Sequence, residues 1–175
     1  MIGDGKLDIT NEAEIPAIIY QTFTSLGLER FQIRVNNRKI LNGFYAMLGL
    51  TEQSGDIMRT VDKLDKIGAE KVRTCLMEDV GLTDEQAGEI LKFIAITGSN
   101  GEVLAALEGY RGRSDVFDEG LNELTTVVKY LAAFGVPQEN FAVDLTIARG
   151  LDYYTGTVYE TTLLDHPEIG SVCSG

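Results

Sequence analysis

The stretch Ala148 to Glu160, ARGLDYYTGTVYE, gathers an arginine, an aspartate and two adjacent tyrosines among glycines, directly ahead of a run that alternates. Arg149, between a strand and a glycine, can project a planar guanidinium whose donors suit a phosphate or a carboxylate. Tyr153 and Tyr154 offer ring faces plus hydroxyls able to bond a ring nitrogen or an amino group, and Asp152 can orient either neighbour. Gly150 and Gly156 let backbone approach a ligand closely. These residue types describe a site for an anion and a ring. Spacing alone leaves that reading level with an aromatic-rich strand end, and it names no ligand.

Other motifs carry less chemistry. GDGK, Gly3 to Lys6, lacks the GxxxxGK[ST] spacing of a phosphate loop and reads as a polar hairpin turn. GYRGR, Gly109 to Arg113, shares the GxxG outline of a KH clamp without the sheet such a module needs, so it reads as an interhelical turn. Arg111 and Arg113 could still touch RNA phosphates from that turn. RVNNRK, Arg34 to Lys39, is expected to cap the following helix and solvate a strand edge. Cys75 and Cys173 lie far apart without CxxC spacing, and His166 is the single histidine, so no metal site is expected and the cysteines read as free thiols.

The elements that must position these groups follow from composition and period. The 175 residues can bury a core in one or two domains. With 15 basic against 27 acidic residues, the chain is not one that grips nucleic acid over its whole surface. No apolar run approaches the roughly 18–20 residues of a membrane span, and the polar start has no signal-peptide core, so no membrane is expected and the cytoplasm is the expected compartment.

The expected fold class is α+β. Residues 1–50 read as helix, strand, helix: Asn11 as N-cap with Glu14 three residues on, then Ile15, Ile18, Ile19, Phe23 and Leu26 at helical spacing, and Gly27 as the stop. Phe31, Ile33 and Val35 alternate with Gln32, Arg34 and Asn36 as a half-buried strand, and a second helix starts near Asn37. Residues 51–136 read as a helical module, with Thr83 and Gln86 at one helix start, Asn100-Gly101 as a turn, Ser114 as a cap and Gly135 as a stop. Within 137–175 the period returns to two: FAVDLTIA and GTVYETTLL read as strands, DHPEIG as a turn and SVCSG as a further strand. Neither β flank holds enough strands to form a stable sheet by itself.

ARGLDYYTGTVYE resembles the histidine-A motif of histidyl-tRNA synthetases. FQIRVNNRKILNG resembles the segment after class II motif 2 in that family, and GSVCSG resembles the approach to its GGRYD motif. The order and separation of the three match over essentially the whole chain, and the helical module falls where the family carries its insertion domain. The resemblance implies part of a class II antiparallel catalytic sheet: 1–50 and 137–175 are catalytic-core segments and 51–136 the insertion. It implies ATP-dependent activation of histidine to histidyl-adenylate and transfer to tRNA(His), with Mg2+ accompanying ATP and no metal held by these residues.

By the same resemblance Arg149 is the catalytic arginine on the α-phosphate. Tyr153 and Tyr154 help form the histidine pocket, Tyr154 in preference as the imidazole's hydrogen-bond partner, with Asp152, Gly150 and Gly156 in support. The family is dimeric. Motif 1, the motif 2 arginine, the pocket's glutamine and acidic residue, and motif 3 are not found in these 175 residues, so the chain alone is expected to be inactive. The alternatives are a silent paralogue that regulates an ATP phosphoribosyltransferase, which has no need of the complete arginine and tyrosine set, and a helical module that contacts tRNA.

Overall fold

A computed structural model describes residues 8–148 and 154–175. Helix α1 (Thr10–Ser25) leads into strand β1 (Phe31–Asn37) and helix α2 (Arg38–Met47). Five further helices follow, α3 (Ser54–Val61), α4 (Leu64–Ile67), α5 (Ala69–Glu78), α6 (Asp84–Ile94) and α7 (Asn100–Glu108), before the long α8 (Asp115–Ala133). Strands β2 (Phe141–Val143), β3 (Thr157–Leu163) and β4 (Ser171–Ser174) close the chain. No helix among the described residues is long and apolar enough to cross a membrane.

The two β flanks solve each other's shortage of strands by pairing. Their order is β2-β1-β3-β4. β1 lies antiparallel to β3, with Arg34 opposite Glu160, and β3 lies antiparallel to β4. The β1–β2 pair alone is parallel, Ile33 opposite Phe141 and Val35 opposite Val143, because the helical module supplies the long crossover that parallel neighbours require.

One face of this sheet is covered by helices. Phe31, Ile33 and Val35 are fully buried and join a single core that runs from α1 through the module to Leu145 and Ala148. α8 buries Phe117, Gly120, Leu121, Leu124, Val127 and Leu131 at helical spacing, and packs on α2, α1 and β1. Its crossing with α2 is close because each helix brings a glycine to the contact. A Cβ on Gly43 would stand 2.5 Å from the Phe117 backbone nitrogen, and one on Gly120 would stand 2.7 Å from Lys39 Cβ. Phe44 stacks on Phe93 beside this crossing, ring centres 3.8 Å apart, which joins α6 to the same layer.

Several local starts and stops follow the sequence and several do not. Thr83 and Gln86 form the reciprocal capping box at α6, Ser114 caps α8, and Asn37 caps α2 by accepting from Lys39 N at 2.9 Å. Gly27, at φ +80°, closes α1 with paired bonds from Gly27 N to Thr24 O and from Leu28 N to Phe23 O. The start of α1 is not Asn11: Asp8 Oδ1 accepts from Thr10 N, and the helix begins at Thr10. α1 buries Ala13, Pro16, Ala17 and Ile19, while Ile18 and Leu26 face out.

Asn100-Gly101 is not a turn. Ser99 and Glu102 form a second capping box that starts α7 at Asn100, and the Ser99 hydroxyl and backbone N–H hold the Glu102 carboxyl below its ordinary range. The strand expected over FAVDLTIA stops at Val143, because Asp144 Oδ1 accepts from both the Thr146 N–H and the Thr146 hydroxyl and bends the chain.

Candidate active site

The second face of the sheet is built from the alternate residues of the same strands. Gln32, Arg34 and Asn36 of β1 stand opposite Thr162, Glu160 and Val158 of β3. Gln32, Arg34, Glu160 and Thr162 line a groove of about 570 Å³ on this face. Leu64 and Asp65 of α4 form one wall, and Pro167 and Glu168 lie on another side.

Arg34 is the centre of the groove's charge. Its Nη2 lies 2.7 Å from Glu160 Oε2, and its Nη1 lies 3.2 Å from Asp144 Oδ2 and 3.5 Å from Asp65 Oδ2. Burial alone would pull the guanidinium down, but the Asp144, Glu160 and Asp65 carboxylates outweigh it and leave Arg34 above its ordinary value. Glu160 is only 7% exposed, so the pair with Arg34 is largely out of water and holds its geometry. One side chain thereby joins the sheet, the loop after β2 and helix α4.

That loop is held a second time. Asn36 is fully buried, not solvated as strand alternation predicts: its Nδ2 donates to Ile147 O at 2.9 Å and its Oδ1 accepts from Asn37 N. Asp144 N donates to Val35 O and Ala148 N to Thr146 O. Thus each residue from Asp144 to Ala148 lies within two positions of a bond that ties the loop to itself or to β1.

The chain is fastened again just after residue 153. Arg38 N donates to Gly156 O at 2.9 Å, and Thr157 N donates to Glu12 Oε2 at 3.3 Å. A Cβ on Gly156 would sit 3.3 Å from Glu12 Oε1, so the small side of this glycine is occupied by α1. Tyr154 is half-buried, and with Cys173 it adds to the burial that pushes the Tyr159 phenol up. Arg149, Gly150, Asp152 and Tyr153 lie outside the described residues, as does GDGK. The described residues on both sides of 149–153 are therefore fixed to β1, α1 and α2.

The arginines of the GYRGR turn are already engaged. Arg111 forks onto Glu108 at 2.6 and 2.8 Å and donates to Asn122, while the Arg113 guanidinium lies 5.6 Å from the Tyr110 ring centre. Cys75 and Cys173 are free thiols. Among the described residues no group of three or more His, Cys, Asp or Glu side chains is arranged to hold a metal ion. Arg34, Asn36 and Glu160 build the groove face although no motif in the sequence marks them as site residues. Their signal was the even-numbered positions of two strands that carry polar residues on one shared face.

A family model described as histidyl-tRNA synthetase matches residues 2–168. The chain belongs to the histidyl-tRNA synthetase family. It is 53% identical over 175 residues to the histidine–tRNA ligase of Clostridium tetani, covering all of this chain and 39% of that protein. Its structure is similar to the crystal structure of histidyl-tRNA synthetase from Nostoc sp. PCC 7120, with a TM-score of 0.94 at 44% identity over 99% of this chain and 41% of that one. The fold is also that of an ATP phosphoribosyltransferase regulatory subunit/histidyl-tRNA synthetase from Bacillus halodurans C, at TM-score 0.76 and 21% identity. The chain thus spans about two fifths of the length of the synthetases it matches.

Proposed function

We propose that this chain supplies part of the catalytic site of a histidine–tRNA ligase, in which histidine is activated with ATP and passed to tRNA(His). The observation that carries the reading is the fastening of the chain on both sides of the histidine-A-like segment, through Asn36 to Ile147 O before it and Arg38 N to Gly156 O after it. Preorganisation of this kind matters because a phosphoryl-transfer site works by holding charge where it develops. The histidine carboxylate attacks the α-phosphorus, the bond to the departing pyrophosphate breaks, and Arg149 offsets the negative charge on the α-phosphate oxygens. The tRNA ribose hydroxyl then attacks the acyl carbon of the adenylate and AMP leaves.

In this reading Tyr153 and Tyr154 line the imidazole pocket, with Tyr154 as its hydrogen-bond partner and Asp152, Gly150 and Gly156 in support. A pocket that hydrogen-bonds a ring nitrogen rejects analogues lacking it, because its own polar groups would be left unpaired. ATP enters as its Mg2+ complex and is a substrate. Residues 1–50 and 137–175 serve as catalytic core and 51–136 as the insertion. The complete enzyme is a homodimer in the cytoplasm. The regulatory-paralogue alternative is disfavoured by the identity levels, 53% to a named ligase against 21% to the regulatory-subunit structure.

The test is Arg149→Ala in the complete enzyme, read by single-turnover adenylate formation. The rate is expected to fall by roughly 10³-fold, with histidine affinity held within a few fold, as for other phosphate-stabilising arginines. An unchanged first-step rate would remove Arg149 from the chemistry.

A further inference from the structure

Asn100 occupies an arrangement that the chemistry above does not use. It is the first residue of α7, in the helical module, yet it is only 8% exposed and its amide points at the sheet. Nδ2 donates to Phe141 O at 3.2 Å, and Oδ1 accepts from Val143 N at 2.7 Å.

β2 is three residues long and is an outer strand of the sheet. Its inner side is paired with β1, so the Phe141 carbonyl and the Val143 N–H on its outer side would be left as a buried donor and acceptor. A primary amide offers a carbonyl acceptor beside an NH2 donor, as a peptide group offers C=O beside N–H, and Asn100 satisfies both sides as the next strand would. Serine or threonine could satisfy both only through one hydroxyl, and an ionised aspartate could only accept. The Ser99–Glu102 capping box fixes where α7 starts, and with it the point from which the Asn100 amide reaches out.

One residue beyond Val143 the chain enters the Asp144–Ala148 loop, whose Asp144 carboxylate holds Arg34 on the groove face and whose Ile147 carbonyl is held by Asn36. A slip of β2 by one position would send Asp144 to the opposite side of the strand and break its contact with Arg34. The register of β2 therefore decides the shape of this wall of the groove.

We infer that Asn100 is a positioning residue for the proposed reaction: one amide of the helical module completes β2 and holds the Asp144–Ala148 wall in the register that the groove requires. The inference rests on the histidine–tRNA ligase reading and adds to it a residue that touches no substrate. It also makes the helical module part of the scaffold of the site.

The test compares Asn100→Asp and Asn100→Ala with Thr83→Ala, which removes the α6 capping box and touches no sheet residue. In the complete enzyme, adenylate formation at saturating histidine and ATP is expected to fall by about 10- to 100-fold in both Asn100 variants, the size associated with small misplacements of a reacting group. KM for histidine should stay within about 2-fold, since the lesion alters the first step and leaves ground-state histidine contacts in place. Hydrogen–deuterium exchange should rise in peptides covering 141–148. Thr83→Ala should leave both readouts at the parent level even if its melting temperature drops.

Exchange that rises with an unchanged turnover would overturn the positioning role, and exchange that stays protected would overturn the strand-completion geometry. Loss of folding in both Asn100 variants would also overturn it, in favour of a purely structural role. An Arg149→Ala enzyme that activates histidine normally would sink the functional reading instead, and the exchange result would still report on β2.

Discussion

The two faces of the sheet are made from alternate residues of the same strands and are stabilised by different forces. Beneath the helices, Phe31, Ile33 and Val35 meet α8 and α1 through dispersion and the removal of apolar surface from water, with close contact between α2 and α8 through Gly43 and Gly120. On the groove face, Arg34, Asn36 and Glu160 meet Asp144 and the Ile147 carbonyl through directional bonds. The first face is limited by volume and requires apolar side chains. The second is limited by the match of donor to acceptor. An enzyme site needs the second kind, because charge must be held at a defined place, and it can afford that only on top of the first.

The largest stability effect is expected where volume is tightest. Gly43→Val would put its Cβ 2.5 Å from the Phe117 backbone, an obstacle that cannot rotate away, and should cost on the order of 3 kcal/mol in urea unfolding. Helix propensity opposes this only weakly, since valine exceeds glycine by a few tenths of a kcal/mol at about the scale of single-residue preferences. A loss under about 1 kcal/mol would mean that α2 and α8 can part without penalty and that the helix-covered face is not volume-limited.

A smaller loss is expected from Arg34→Met, which keeps length and removes the cation shared by Asp144 and Glu160. Roughly 1–3 kcal/mol should be lost at pH 7, the range for taking a charged partner from part-buried hydrogen bonds. Unfolding measured in parallel with adenylate formation would sharpen the contrast: stability unchanged but turnover reduced would make the groove network purely functional.

The smallest effect is expected within the helix-covered layer itself. Among the described residues the buried Tyr45 hydroxyl has no hydrogen-bond partner, and burial pushes the phenol well above its ordinary range. Tyr45→Phe should be neutral or stabilising by up to about 1 kcal/mol, because it removes a desolvated group that gains nothing in return. A clear loss of melting temperature would show that the hydroxyl finds a partner in solution and that polar bonding also supports this face.

What was legible in the sequence was local. The Thr83–Gln86 and Ser114 caps, the Gly27 and Gly135 stops and the alternation of β1 and β3 each depend on residues a few positions apart, so one window contains both partners. Asn100-Gly101 is helical and not a turn because two local signals compete there and the Ser99–Glu102 capping box prevails, while the bond from Val143 N to Asn100 Oδ1 lies beyond any local window. Asn36 also has its partner beyond such a window: alternation places it outward, while the Ile147 carbonyl 111 residues away satisfies it in the interior.

The candidate site divides along the same line. Residue types around Arg149, Tyr153 and Tyr154 described a site for an anion and a ring without naming its ligand, and the resemblance of three motifs in order and separation supplied the synthetase family. That β1 is joined on one side to β2 in parallel and on the other to β3 antiparallel was decided by the tertiary structure, as was the meeting of Arg34 with Asp144 and Glu160 across 110 and 126 residues. The physical reason is that a side chain's own preferences specify what it can bond, while the partner it finds depends on which surfaces the packed helices bring within 3 Å of it.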